Sequence, residues 1–241
     1  MFYADKRFIY LLLIVIVIMN LMSMNQLEWL ALILTVPGVL IAISFHEFAH
    51  AFAATKLGDD TPGAQGRLNL NPFTHIDPIG FVMLLFVGFG WGRPVQINPR
   101  NFNRKYSQTA GEAIVAAAGP IMNFILAIVL TLIYCALYKF AYGFVISQVG
   151  SIIFSMIQYA IVMNIGLGIF NLIPLPPLDG SKILVNFLPY NGRQWIYEHE
   201  QIFYIVFLVI WITGIAGYII SPALNLMYSG LIQLGLKIFG I

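Results

Sequence analysis

Charge is scarce in this chain. Of 241 residues only 9% are Asp, Glu, Lys or Arg, while 60% are hydrophobic; soluble domains carry about 25% charged residues. A chain so poor in charge does not turn most of its surface to water. The formal net charge of +2 provides no basic field for nucleic acid, and that class of partner is excluded. Cysteine is almost missing. Cys135 stands alone inside an apolar block, so neither an intrachain disulfide nor a cysteine metal cluster is available; its setting suits a small residue facing lipid or a neighbouring helix. There is no internal repeat, low-complexity tract or soluble domain. The longest polar stretch, 58–108, is itself interrupted by the apolar piece 79–91.

What the chain does have is apolar sequence in long blocks. Six are long enough to span: roughly 7–23, 27–57, 109–140, 145–173, 201–220 and 222–240. A helix needs about 20 residues to cross about 30 Å of hydrocarbon. The expected fold is therefore an all-α polytopic membrane protein of about six transmembrane helices, in one membrane-embedded unit over 1–241. Two apolar pieces, 79–91 and the segment after Pro177, are too short to span and are expected to re-enter or line a cavity. The N-terminus resembles a signal sequence, with Lys6 and Arg7 ahead of the apolar run from Phe8 to Met19. No small-x-small cleavage site follows, so it reads as an uncleaved first span.

Basic residues set an expected orientation. With the N-terminus in the cytoplasm, six spans put Lys6, Arg7, Lys56, Arg67, Arg93, Arg100, Arg104, Lys105, Lys182, Arg193 and Lys237 inside and only Lys139 outside. Both termini are then cytoplasmic, in agreement with the positive-inside rule.

Three polar clusters interrupt the apolar blocks. The first is His46-Glu47-Phe48-Ala49-His50 in the second block. Residues four apart share a helix face, so both imidazoles can reach one metal ion, and Glu47 is placed to take a proton from water at that metal. His46 lies about 15 Å from Lys56 along a helix, deep in hydrocarbon, where ionisable groups usually mark function. The bland alternative is a structural His–Glu hydrogen-bond network. The second cluster is Asp179, which follows Pro174, Pro176 and Pro177. Those prolines forbid a regular helix, and broken backbone at membrane depth needs protein or a wet cavity around it. Asp179 is a candidate third ligand, since catalytic zinc usually takes three protein ligands; a helix N-cap is the other reading. The third cluster is Gly119-Pro120-Ile121-Met122-Asn123. Small residues from Ala116 to Gly119 permit close helix approach. Asn123 and Asn171 read as groups for substrate backbone or an oxyanion, Asn164 as a structural bridge.

His46-Glu47-x-x-His50, Gly119-Pro-x-x-Asn123 and Leu178-Asp179-Gly180, in this order, resemble the site-2 protease family of intramembrane zinc metalloproteases (peptidase M50-like) over about residues 30–190. The stretch Asn71 to Gly80 resembles one prokaryotic branch. The resemblance implies that His46, His50 and Asp179 hold one zinc ion, that Glu47 is the general base, and that Asn123 and Asn171 contact the substrate or its tetrahedral intermediate. It implies an endopeptidase for membrane-spanning protein substrates in the cell membrane, with the active site open to the cytoplasm. Its catalytic core would run over about 27–190, with flanking helices at 7–23 and 201–240. No PDZ or CBS domain is expected, which makes this a minimal form.

Phe81 to Phe86, followed by Gly88, Gly90 and Gly92, reads as a strand and turn that Val95 to Asn98 could join. The expectation, supported by the resemblance, is a short re-entrant β-hairpin that binds extended substrate by strand addition; a short helix stays open. His75 and Asp77 suit a loop histidine and a capping carboxylate better than a second metal pair. Glu112 suits a helix N-terminus. Two other classes remain: a non-catalytic zinc-containing membrane binding or transport protein, and a prenyl-protein-type protease that would draw its third ligand from Glu198 or Glu200.

Overall fold

The computed structural model describes residues 15, 17–19, 21–87 and 90–241; most of the first expected span, together with Lys6, Arg7 and Gly88, lies outside them. The described chain is helical throughout, with about 79% of the residues in helices and no strand. The longer helices are α1 (Gln26–Lys56), α2 (Pro78–Val87), α3 (Gln108–Phe140), α4 (Gln148–Asn171), α5 (Asp179–Phe187), α6 (Tyr190–Glu198), α7 (Glu200–Ile212) and α8 (Ile215–Phe239).

Local sequence explains the ends of the spans. Asn25 caps α1 by accepting from the Leu27 and Glu28 N–H groups, and Glu28 accepts from the Asn25 N–H in return, a reciprocal box that satisfies orphan donors. Ser107 and Ser147 cap α3 and α4 more simply, their hydroxyls accepting from the Ala110 and Gly150 N–H groups. Four helices, α1, α3, α4 and α8, are long and apolar enough to cross a membrane. α1, α3 and α4 pack against one another around small or β-branched residues such as Ala42, Ala127, Ile161 and Ile165, all nearly inaccessible. Their outer faces present Ile121, Ile125 and Ile128, as a helix facing lipid does.

Two expectations change here. The block 201–220 is not a span among the described residues. α7 ends after 13 residues, about 20 Å, and Gly214 in the left-handed region (φ +76°) starts α8. Losing that crossing reverses α8. Lys139, at the end of α3, donates to the carbonyl of Phe239, at the end of α8. The chain therefore ends at the face that carries Lys139, opposite Lys56, and not beside Lys56 as six spans required. Lys237 moves with it. Of the ten described basic residues, eight still lie in or beside the connections at the Lys56 end.

The second change concerns 79–91. Phe81 to Phe86 lie in α2, a helix and not a strand. The piece does fold back on itself: Gly90 returns so close that a Cβ there would stand 1.9 Å from the Gly80 carbonyl oxygen. An isolated antiparallel bridge, Ile76 to Gly92, is all the β pairing described. Glycine serves close approach here instead of a hairpin turn.

The connection 57–107 is knotted by Asp59. Its buried carboxylate accepts from the Thr61 N–H and hydroxyl, the Asn98 N–H and the Asn101 amide. Burial pushes this carboxyl up, but the hydrogen bonds from Thr61, Asn98 and Asn101 outweigh it and hold it below the usual range. Arg67 adds a clamp, donating to the carbonyls of Thr74 and Arg93 and, at 3.2 Å, of Pro94. Together these fix a strap, Gly90 to Val95, across the inner face of α1. His75 is fully buried, with Nε2 2.7 Å from the Asn69 carbonyl oxygen, while the Asp77 carboxylate accepts from the Ile79 and Gly80 N–H groups. His75 thus closes the short helix Pro72–His75 instead of lying in a loop, and Asp77 caps the start of α2.

Candidate metal centre

The strap covers the C-terminal third of α1, where the two histidines of the first motif project from one face. His46 Nε2 and His50 Nε2 lie 3.0 Å apart, and each stands 3.1 Å from Asp179 Oδ2. Among the described residues this is the one group of three side chains that could hold a metal ion. Asp179 arrives by the route its prolines suggest. The turns over 172–178 end as α5 begins, and Asp179 occupies the first turn of α5 without capping it; its carboxylate is spent on the imidazoles. Glu198 and Glu200 are not part of the cluster.

Hydrogen bonding behind the histidines decides what this triangle is for. Asn164 donates to the Ala160 carbonyl and accepts, at 3.0 Å, from the amide of Asn123. Asn123 donates also to the Ala42 carbonyl, so its oxygen faces His46 Nδ1 at 2.7 Å and must accept. His46 therefore carries its proton on Nδ1. His50 Nδ1 faces the carbonyl oxygen of Val115 at 2.7 Å, which fixes the same tautomer. In the neutral imidazoles both Nε2 atoms are then lone pairs, directed at each other and at the Asp179 carboxylate oxygen. Three acceptors about 3 Å apart with no proton between them repel one another. A bound cation turns the arrangement into an attractive one, and a tetrahedral zinc site with bonds of about 2.0–2.1 Å has ligand–ligand edges of about 3.3 Å. The residues fit zinc.

Asn123 thus stands behind the first histidine and not in front of a substrate. It is fully buried, with its hydrogen bonds directed to Ala42, His46 and Asn164. The sequence marked Asn123 as polar inside a span but carried no sign of which face it takes. Asn171 does line the hollow beside the metal triangle, with its amide donating to the Leu167 carbonyl. The Val115 carbonyl went unnoticed in the sequence, because every residue offers one.

α3 reaches the imidazoles only because residue 119 is glycine. A Cβ there would lie 2.5 Å from His50 Nε2 and 2.6 Å from His46 Cε1. Gly119→Ala should therefore weaken zinc binding by about tenfold or more, on the scale of changes around metal ligands, while helix content by circular dichroism stays the same. Metal analysis after dialysis against graded zinc buffers checks it; unchanged affinity would show that the helices part without cost.

The hollow has a volume of about 310 Å³ and is bordered by Glu47, Trp91, Asn171 and Lys182 as well as the triangle. Glu47 accepts from the Val95 N–H at 3.1 Å. A second hollow, about 380 Å³, shares Pro94, Glu112, Pro177 and Lys182 with the first and continues to Tyr197 and Glu200. It connects the site to the end where the basic loops lie. Glu112 is one turn inside α3 and faces Lys182 in these hollows, so it does not serve the helix N-terminus.

A helical frame with His46-Glu47-x-x-His50 and a carboxylate on the first turn of a later helix can be compared with known proteins. The profile of Peptidase family M50 matches residues 34–214, about three quarters of the chain. A Bacillus subtilis (strain 168) protein named "Putative zinc metalloprotease YwhC" is 38% identical over 202 residues, covering 83% of this chain and 90% of that one. Rip2 of Mycolicibacterium smegmatis, under the same description, is 28% identical over 204 residues, covering 83% of this chain and 71% of its own. MJ0611 of Methanocaldococcus jannaschii, again so described, is 24% identical over 213 residues, 87% of this chain and 97% of that one. No solved structure matches. All three metal-directed side chains fall inside the matched span, and the chain belongs to peptidase family M50.

Proposed function

We infer that this M50 peptidase is a zinc-dependent endopeptidase that cuts membrane-spanning proteins within the bilayer. The observation that carries the reading is the place of the triangle: two imidazoles and a carboxylate converge on the C-terminal third of α1, a helix of 31 residues apolar enough to span. His46 lies about 15 Å along the helix from Lys56, so a bond brought to it lies in hydrocarbon. His46, His50 and Asp179 hold the zinc. Zinc held there supplies Lewis acidity, lowering the pKa of water to about 7 and polarising a carbonyl.

The protein's own groups do the rest. Glu47 takes the proton of the attacking water and delivers it to the leaving amide nitrogen. Asn171, at the edge of the hollow, orients the substrate backbone. Asn123 and Val115 hold the imidazoles in the tautomer that leaves Nε2 free. Water enters through the hollow that passes Glu112 and Lys182. The positive-inside rule places the eight basic residues of the Lys56 end in the cytoplasm, and the site opens to that side; Lys139 and the chain's end then lie on the far side. The described helices act as a single membrane-embedded unit.

The test uses purified protein in liposomes with a single-span reporter. Cleavage should stop on chelation, return with zinc, and map by mass spectrometry to bonds inside the apolar stretch. Cuts confined to the reporter's soluble flanks would overturn the intramembrane reading, and cleavage indifferent to chelation would overturn the zinc reading.

A further inference from the structure

Beside the metal hollow, on the side away from the basic loops, lies a separate chamber of about 210 Å³. It borders on Ile43, Leu84, Gly90, Leu167 and Phe170, and each of these also borders the metal hollow. Its far walls are Val39 of α1, Met163 and Gly166 of α4, Trp211 of α7, and Ile220 and Leu224 of α8. No ionisable side chain of the described residues lines it. Phe170 stands at the passage between the two spaces, its ring edge-on to Trp211 at 5.3 Å. Gly166 leaves room there: a Cβ would meet nothing nearer than Leu224 Cδ1, at 3.4 Å.

We propose that this chamber is a subsite for one large apolar side chain, leucyl or aromatic, on a residue flanking the scissile bond. The inference rests on the reading of the chain as an intramembrane endopeptidase and adds what that reading lacks, a basis for choosing where to cut. Glu47 borders the metal hollow, and the hollow meets the chamber at the five residues they share, so a side chain on a backbone held at Glu47 is the group placed to enter. Size agrees. A dry apolar cavity of about 150 Å³ already admits benzene, so 210 Å³ accepts a phenyl or isobutyl group. Chemistry agrees as well, because in a transmembrane substrate most residues are apolar and polar contacts would select few of them. Shape is then what distinguishes one bond from the next: a side chain that fills the chamber holds its carbonyl in register with the metal triangle, whereas alanine leaves the register loose.

The experiment gives full-length zinc-loaded protein single-span reporters that differ only in Phe or Ala at the two positions flanking the cut. In the wild type the kcat/KM ratio of Phe to Ala should be about tenfold or more, the scale of apolar pocket discrimination. In Gly166→Leu, whose side chain fills the chamber toward Leu224, the ratio should fall to near unity or invert. Met163→Ala, which enlarges the chamber, should move the optimum from Phe toward Trp. An identical ratio in the wild type and both variants overturns the subsite while leaving cleavage itself standing. A second readout does not depend on turnover: a reporter with a photoreactive phenylalanine analogue at the flanking position is irradiated with Glu47→Gln protein. Labelling of peptides holding Met163 or Leu224 supports the subsite even if no reporter is cut. Labelling elsewhere, or labelling of those peptides by a photoreactive acyl lipid that the reporter does not displace, overturns it.

Discussion

Glu47→Gln should keep its full complement of zinc and lose peptide cleavage by about 10²–10⁴-fold, the usual contribution of a positioned general base. Glutamine preserves the shape of the side chain, and its carbonyl oxygen can still accept from the Val95 N–H that now binds the carboxylate at 3.1 Å. The strap therefore stays in place, and His46, His50 and Asp179 are untouched. What disappears is the carboxylate that follows the first histidine in sequence, borders the hollow and is not itself directed at the metal triangle. Zinc by elemental analysis and cleavage by reporter assay should separate cleanly. Equal cleavage by variant and wild type, both holding zinc, would remove Glu47 from the chemistry. Loss of zinc from the variant would instead make the glutamate a ligand.

Asp179→Ala should have the opposite signature: zinc lost, and cleavage lost with it. The carboxylate is the only anionic corner of the triangle, and without it two neutral imidazoles 3.0 Å apart are left to hold a dication. Catalytic zinc sites take three protein ligands, so the two-histidine remnant should fail to retain the ion through dialysis. The fold should survive, because Asp179 makes no cap for α5 and the Ser181 hydroxyl still donates to the Leu178 carbonyl at the same turn. The control is Glu200→Ala. Glu200 lies along the second hollow and outside the triangle, so zinc should stay. If Glu200→Ala strips the metal and Asp179→Ala does not, the site is of the prenyl-protein kind and the assignment of Asp179 falls.

Parts of this arrangement were legible because they follow from periodicity. His46 and His50 share a face in any α-helix, and the prolines at 174, 176 and 177 mark the break that delivers Asp179. The rest depended on information that apolar sequence does not carry. In a uniformly apolar helix the facing of Asn123 is unsettled until α1 and α4 are packed against α3, and only then does it meet His46. The partner of His50 is a backbone carbonyl. Phe81 to Phe86 is rich in residues that suit either a strand or a buried helix, and the glycines after it signalled a turn, whereas Gly90 lies against Gly80 and Gly92 against His75, Ile43 and Glu47. The block 201–220 has the hydropathy of a span. Its failure to be one turns on Gly214, one glycine among the 21 in the chain, and that single break decides on which face the chain ends.

The strap across Glu47 has a consequence for the membrane that houses it. A lipid bilayer that stores an ion gradient is harmed by any proton-binding site reached by water from both sides. Here the polar hollow runs past Glu112 and Lys182 from the basic end, while the space on the other side of the metal triangle is the apolar chamber walled by Val39, Met163 and Leu224. Gly90 to Val95 lies between, with its own backbone N–H on the carboxylate that exchanges protons. On the proposed reading the strap insulates the resting enzyme, and a substrate chain that displaces it from the glutamate seals the gap with its own apolar residues. On that reading, hydrolysis inside a membrane and the electrical tightness of that membrane are kept compatible by the same six residues.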